Sequence, residues 1–393
     1  MEPDALQFFA PCPRGLETVL ADELIAMHAT AVQTTSGGVH FQGNWLTCYH
    51  VNLRSRIASR VLWQVAKKPY RNEQDIYDTT AALPWPEWFP PELTIRVNLA
   101  AVQCPLRSLE YITLKIKDAV CDKFRKVSGK RPSVNTVAPD IRIHGFLDAR
   151  QFTLYLDTSG EALFKRGYRK NSGNAPLREN LAAGILHLSG WQPGIPFLDP
   201  MCGSGTFLIE AAEMTFNIAP GLRRHFAFEQ FKRFDQIQWQ KLKDQASSAQ
   251  LPVTQIPVYG SDLYGYALAD TRINLEAAGL FDAVHLKQAN VLETSSPQSQ
   301  GILVTNPPYG VRIGETGLLA EFYPKLGNVL KNKFIGWNAY IFTADPSLAK
   351  TIRLQASRRI PLFNGALECR LLEYKIIAGS MRTKNKSGNE SLY

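Results

Sequence analysis

Two short segments carry residue types suited to group transfer. The first, FLDPMCGSGT (residues 197–206), reads as a strand end, a tight turn and the start of a helix running to Met214. Gly203 and Gly205 let the backbone pass close to a ligand, and a helix N-terminus presents N–H groups to an anion. Asp199, ahead of the glycines, is a carboxylate suited to an ammonium group. A dinucleotide fingerprint needs a third glycine where this chain has Leu208, and no Lys-Ser/Thr follows to make a phosphate-cradling loop. A ligand with both an ammonium and a carboxylate end fits instead, as in the methionine part of S-adenosylmethionine. Taken alone, the turn also fits a purely structural role.

The second segment, GILVTNPPYG (301–310), sets Asn306-Pro307-Pro308-Tyr309 at the end of an apolar run. Two prolines remove N–H donors and stiffen the loop, so the Asn306 side-chain oxygen and the Pro307 carbonyl become fixed acceptors. Tyr309 supplies a flat face for stacking a base. This suits methylation of an exocyclic amine, whose lone pair is conjugated into its ring. Two acceptors on its N–H bonds draw the nitrogen towards tetrahedral geometry, in line with the sulfonium methyl. A plain proline turn is the alternative for the tetrapeptide by itself.

Between them, VYGSD (258–262) ends a strand in Asp262, placed to accept hydrogen bonds from ribose hydroxyls or to serve as a surface turn residue. Asp199 and Asp262 are 63 positions apart (262 − 199), against roughly 20–30 in a bare strand–helix–strand unit. An insertion, the helical stretch 217–249, is expected between them.

These residues need a scaffold. After residue 160 long helices alternate with short apolar strands, expected at 195–199, 258–262, 283–286, 302–306, 339–343 and 371–377. Such alternation implies an α/β fold with a mostly parallel, doubly wound sheet. Surface loops are expected at 245–257 and 293–300, and a frayed tail from 382 to 393. The first 160 residues read as α+β. Helices are expected at 14–27 and at 109–127, where Ile112, Ile116, Val120 and Phe124 recur every fourth residue. Strands are expected around 39–41, 94–102, 141–143 and 152–157. The Pro- and Trp-rich stretch 83–91 reads as a rigid loop, and the basic, Gly/Ser/Asn-rich 159–176 as a linker.

The 393 residues allow two or three domains, and 45% hydrophobic with 20% charged usage excludes global disorder. No apolar run is long enough to span a membrane, and Glu2 and Asp4 stand where a signal peptide needs positive charge, so a cytoplasmic protein is expected. Six scattered cysteines and seven histidines without ligand spacing argue against a disulfide framework or a metal site. The net charge of +9 points weakly to a polyanionic partner. Residues 1–160 carry 18 Lys+Arg against 16 Asp+Glu and the remainder 26 against 19, so local clusters say more than the total. Residues 111–131 hold Lys115, Lys117, Lys123, Arg125, Lys126, Lys130 and Arg131 against Asp118 and Asp122. Residues 163–178 hold Lys165, Arg166, Arg169, Lys170 and Arg178 with no acid, and Arg166, Tyr168 and Arg169 interleave charge with an aromatic ring. Both stretches suit RNA phosphates and unstacked bases.

The motifs together carry a family resemblance. DPMCGSGTFLIEAA (199–212), GSD (260–262) and NPPYG (306–310) resemble the class I S-adenosylmethionine-dependent methyltransferases that modify exocyclic amines. KRGYR (165–169), APLRE (175–179), NGALECR (364–370), CPRGLE (12–17) and KDA (117–119) narrow it to the bacterial guanine-N2 methyltransferases of 23S ribosomal RNA. That group joins an RNA-binding THUMP domain to a Rossmann-like methyltransferase domain. The resemblance implies an N-terminal α+β region over 1–160 with its THUMP core at about 45–157, a methyltransferase domain over 161–380 and a flexible tail over 381–393. It implies S-adenosylmethionine held by Asp199, Pro200, Gly203, Gly205, Asp262 and Asn306, with Asn306, Pro307 and Tyr309 on the target guanine. The family usually has Asp where this chain has Asn290, whose amide oxygen accepts the adenine amino group without charge. Some members carry a second methyltransferase domain; this chain is expected to have one activity. A tRNA guanine-N2 or adenine-N6 methyltransferase and a catalytically silent RNA-binding assembly factor are the alternatives.

Overall fold

A computed structural model describes residues 5–169, 177–307, 316–345 and 347–378. Contacts divide the chain into two compact units, Met1–Arg169 with Leu177–Gly184 and Glu213–Pro252, and Lys170–Pro176 with Ile185–Ala212 and Val253–Tyr393. The expected cut at 160 therefore falls inside the first unit.

The first unit begins β1 (Leu6–Pro11), α1 (Glu17–Ala26), β2 (Thr30–Thr35), β3 (Gly38–Gly43), α2 (Trp45–Arg54), β4 (Leu62–Pro69), α3 (Glu73–Ala82) and α4 (Trp85–Trp88). It continues with β5 (Ile95–Ala101), α5 (Leu109–Ser128), β6 (Ile141–Leu147) and β7 (Gln151–Asp157). Its seven strands form one sheet in the order β2-β3-β1-β4-β7-β6-β5, antiparallel except for the β5–β6 pair. α5 forms where the fourfold periodicity places it. The Ser108 side chain caps it by accepting from the Tyr111 N–H, Gly129 ends it at φ 70°, and Ile112, Ile116, Val120 and Phe124 are buried.

Two local expectations need correction. The 83–91 stretch is not all loop: it holds the one-turn α4, with Trp85 and Trp88 buried. Proline at the first helical turn removes only a donor that would be orphaned anyway, so these prolines start a helix instead of excluding one. Nor is 159–169 an exposed linker. Ser159, Arg166 and Tyr168 are buried, and the Ser159 hydroxyl donates to Asn52 Oδ1 at 2.6 Å.

The chain goes on through α6 (Glu179–Leu188), β8 (Phe197–Asp199), α7 (Thr206–Thr215) and α8 (Gln236–Ser248). The expected insertion packs on the first unit through aromatic rings. Phe228 lies 4.6 Å from Tyr49, 5.1 Å from Phe226 and 5.1 Å from Trp239 between ring centroids. A half-buried Arg56–Glu213 ion pair at 3.2 Å adds a polar tie. α8 reaches Ser248, so its last four residues lie in the stretch expected as loop.

The second unit adds β9 (Val258–Asp262), α9 (Gly265–Ala278), β10 (His285–Gln288), β11 (Gly301–Thr305), α10 (Thr316–Lys333), β12 (Trp337–Thr343), α11 (Leu348–Thr351), β13 (Arg358–Asn364) and β14 (Leu367–Lys375). The sheet runs β10-β9-β8-β11-β12-β14-β13, parallel as far as β12, with β14 and β13 antiparallel. Leu198, Leu303, Tyr323, Phe334, Trp337, Ile341 and Tyr374 fill one side of it. Strand order reverses between β8 and β11, so the C-terminal ends of these neighbours border the crevice where doubly wound sheets bind ligands.

Candidate active site

Asp199 ends β8, Asp262 ends the adjacent β9, and Asn306 follows β11 on the other side of β8. The topology thus collects at one sheet edge three residues that lie up to 107 positions apart in sequence (306 − 199).

The loop after β8 is tied down from several directions. The N–H groups of Met201, Cys202, Gly203 and Gly205 donate to Asp199 Oδ1, Ser261 O, Asp262 Oδ2 and Cys202 O, at 3.2, 2.9, 3.0 and 2.8 Å. Those donors are committed within the fold, which leaves the first turn of α7 as the place for backbone donors to meet a carboxylate. Pro200 is buried, and its carbonyl accepts from the Ser261 hydroxyl at 3.4 Å. Gly203 sits at φ +54° with open space where a side chain would stand. Gly205, at φ +79°, has no such room, since a Cβ there would lie 2.8 Å from Thr271 Cγ2.

Sequence reasoning missed two residues of α9 that hold this loop. The Thr271 hydroxyl donates to Gly203 O at 2.6 Å and Asn274 Nδ2 to Ser204 O at 3.1 Å, both from fully buried side chains. Polar residues three apart on a helix carry no signal in the sequence that marks them as buried. The carbonyl and N–H of a trans peptide point in opposite directions. Anchoring Gly203 O on α9 therefore aims the Ser204 N–H away from that helix.

Asp199 is buried, and desolvation pushes its carboxyl up to about 8, helped by the Asp262 charge and opposed by the Met201 N–H and the Thr305 hydroxyl. A buried carboxyl of this kind is primed for a cationic partner, whose arrival restores the ionised form. Asp262 accepts from both the Gly203 and Tyr264 N–H groups, at 3.0 Å each, and each oxygen keeps a lone pair for a hydroxyl. Asn290 Oδ1 accepts from the Leu292 N–H at 3.0 Å, which leaves one lone pair for an adenine amine. It lines a cleft of about 700 Å³ with Tyr259, Ser261, Lys287 and Thr294.

Pro307 is buried, while Asn306 Oδ1 is buried with no hydrogen-bond partner among the described residues. An acceptor hidden from water without a donor costs free energy, and a ligand N–H removes that cost. Tyr309 lies outside the described residues.

The basic residues divide sharply. Arg166 is 3% exposed and its guanidinium donates to the carbonyls of Leu163 and Arg56, both at 2.7 Å. Arg169 pairs with buried Glu179 at 2.9 Å and donates to Leu177 O. Both are corrected from RNA contacts to internal struts, because composition reports charge and not burial. On and after α5, Lys117, Arg125 and Lys130 pair with Asp118, Asp122 and Glu92. Lys115 lies over the rings of Tyr77 and Tyr111, and Lys123, Lys126 and Arg131 complete that cluster. Among the described residues no helix is long and apolar enough to cross a membrane, and no cluster of His, Cys, Asp and Glu could hold a metal ion.

The residues present fit S-adenosylmethionine. Among the described residues the Gly203 cradle is open, Asp199 has no cationic partner and Asn306 Oδ1 has no donor. The cofactor, when bound, supplies a methyl group made electrophilic by its sulfonium. The doubly wound sheet and this loop set define a class I S-adenosylmethionine-dependent methyltransferase. A family model described as "RMKL-like, methyltransferase domain" matches residues 166–373. A THUMP domain matches 70–157, beginning later than the expected 45, and an "RlmL ferredoxin-like domain" matches 7–62. The chain belongs to the RMKL-like methyltransferase family. It is 38% identical over 370 residues to the "Putative RNA methyltransferase slr0064" of Synechocystis, covering 94% of this chain and 96% of that protein. It is 39% identical over 400 residues to the "Ribosomal RNA large subunit methyltransferase K/L" of Aeromonas salmonicida, covering 97% of this chain but only 56% of that protein. The crystal structure of SMU.472, "a putative methyltransferase complexed with SAH", superposes with a TM-score of 0.86 at 31% identity, over 96% of this chain and all of that one.

Proposed function

We propose that this chain methylates the exocyclic N2 amine of a guanine in RNA, with 23S ribosomal RNA in the cytoplasm as its substrate. The observation that carries the reading is the buried Asn306 Oδ1 at the end of β11, beside the Asp199 loop, without a hydrogen-bond partner among the described residues. Asn306 Oδ1 and the Pro307 carbonyl accept the two N–H bonds of the amine, which frees the nitrogen lone pair from the ring. The proton becomes acidic as the N–C bond forms, so these acceptors also direct its departure. Asp199 holds the ammonium end of the cofactor, with Pro200, Gly203 and Gly205 framing it. Asp262 takes the ribose and Asn290 the adenine amine. Tyr309 stacks on the target base. The names of the Synechocystis and Aeromonas relatives support an RNA, and in the second case a ribosomal, acceptor.

The test is Asn306→Ala. Removing one fixed acceptor lowers the methyl-transfer rate by about 10²–10³-fold, the usual effect of deleting a preorganised transition-state contact. Calorimetric affinity for the cofactor should change far less. Full transfer activity in that variant defeats the mechanism, and a wild type that binds no cofactor favours the assembly-factor reading.

A further inference from the structure

The seven-stranded sheet of the first unit has two faces of different chemistry. One faces the helices: Gly145 has no room for a Cβ because Leu99, Ile116 of α5 and Phe152 fill that space, and Trp45 of α2 meets Phe8, stacked on Phe41. Strand alternation defines the other. In β6, Ile141, Ile143, Gly145 and Leu147 are buried while Arg142, His144 and Phe146 are half-exposed. Register carries this face across the sheet. Phe9 stands opposite His40, Gln64 opposite Tyr155, Tyr155 opposite His144, and His144 opposite Asn98. A second row sets Lys67 opposite Thr153 and Thr153 opposite Phe146, with Arg96 opposite Arg142 at one margin.

Solvent-facing sheet surfaces normally alternate to plain polar side chains. Here the half-exposed rings of Phe9, His40, His144 and Phe146, with amides and cations, flank a buried centre of Leu62, Thr153, Tyr155 and Asp157. Phe9 lies 4.7 Å from His40 and 6.0 Å from Tyr155. Lys67 and Arg96 are exposed; Arg96 Nη1 donates to the Thr136 carbonyl at 2.6 Å, but unlike Arg166 its side chain stays at the surface. The acids are neutralised: Asp157 is buried against Arg60 and His144, and Glu161 at the margin pairs with Arg142. Rings that stack bases, amides that meet base edges and cations that meet phosphates are what an unpaired nucleic acid strand requires. The α5 cluster offers less, because Lys117, Arg125 and Lys130 already have acidic partners.

We propose that this open sheet face binds an unpaired segment of the RNA substrate, with bases stacked on Phe9 and Phe146 and phosphates along Lys67 and Arg96. The inference rests on the RNA reading above and adds where, and in what form, the RNA is held. Phe9 and Phe146 stand three strand spacings apart across the sheet, about 14 Å, and their rows meet β7 four residues apart, at Asp157 and Thr153, so more than one nucleotide is engaged.

Fluorescence anisotropy of a labelled single-stranded RNA titrated with the full chain tests this directly. Phe146→Ala and Phe9→Ala should each weaken binding by about 5- to 100-fold, the usual worth of a base–aromatic stack. Phe146→Tyr should keep most of the affinity. Both phenylalanines are partly buried, so thermal melting must first show that their variants fold. Lys67→Ala and Arg96→Ala avoid that difficulty, and each should lower the slope of log K against log salt by about 0.7. Cofactor affinity should not move in any of them. If wild type binds and methylates RNA while all four variants bind it unchanged, this surface is wrong and the RNA reading stands. If a duplex of the same sequence binds as well as the single strand, base stacking is wrong. If wild type binds no RNA, both readings fall.

Discussion

A buried carboxyl held near 8 must lose its proton before it can pair with an ammonium group, so cofactor affinity should depend on pH in a calculable way. With Asp199 at about 8, its ionised fraction rises from about 1% at pH 6 to about 9% at pH 7. The apparent affinity for S-adenosylmethionine should therefore rise about ninefold over that unit, with close to one proton released per cofactor bound. Calorimetry in two buffers of different ionisation enthalpy measures both quantities. Asp199→Asn removes the titrating group and should flatten the profile. It also loses a charge-assisted contact, lowering affinity at pH 7.5 by roughly 10- to 100-fold. The same shift has a stability counterpart of the opposite sign to a salt-bridged aspartate. Its folded value lies above its ordinary 3.8, so its contribution is fully present below that pH and is lost as pH rises towards 8. Without cofactor, wild type should lose stability relative to Asp199→Asn across that window in urea titrations. An affinity for the cofactor that is flat from pH 6 to 7, with no proton released, refutes the assignment of the ammonium group to Asp199.

Gly203→Ala should fold, since open space surrounds the position and the left-handed φ of +54° costs an alanine about 1–2 kcal/mol, yet it should bind cofactor at least tenfold more weakly in the same titration. Asn274→Ala should raise the KM for S-adenosylmethionine by roughly tenfold while kcat at saturation changes little, because the lost bond to Ser204 O positions the loop without touching the reacting atoms. A fall in kcat alone counts against that role. Trp239→Ala removes a buried ring from the insertion's aromatic cluster and should cost about 3–5 kcal/mol, read as a lower melting temperature with cofactor affinity unchanged.

Much of the site was legible because chemistry and chain position coincide at strand ends. Asp199, Asp262 and Asn306 each follow an apolar run, and a doubly wound sheet turns those run ends into one edge. What stayed hidden depends on partners distant in sequence. Thr271 and Asn274 look like ordinary helix residues until the glycine loop is seen to rest on them. Arg166 and Arg169 look like an RNA-binding stretch because sequence reports charge but not the carbonyls that absorb it. The insertion was expected from the spacing of its flanking aspartates, yet its loyalty to the first unit follows from Tyr49 meeting Phe228, a contact no local pattern announces. β4 escaped notice because the register shift between Gln64 and Ala66 breaks its alternation. The proposed RNA-binding face of the first sheet was equally invisible, since its half-exposed rings come from three different strands.

The central claim is that the Asn306 site transfers a methyl group to the N2 amine of a guanine in large-subunit ribosomal RNA. Nucleoside mass spectrometry of unmodified 23S RNA, incubated with the purified chain and isotopically labelled S-adenosylmethionine, tests it most directly. Labelled N2-methylguanosine, absent with Asn306→Ala, is the expected result; label on the N6 amine of adenosine, or transfer undiminished in the variant, contradicts it.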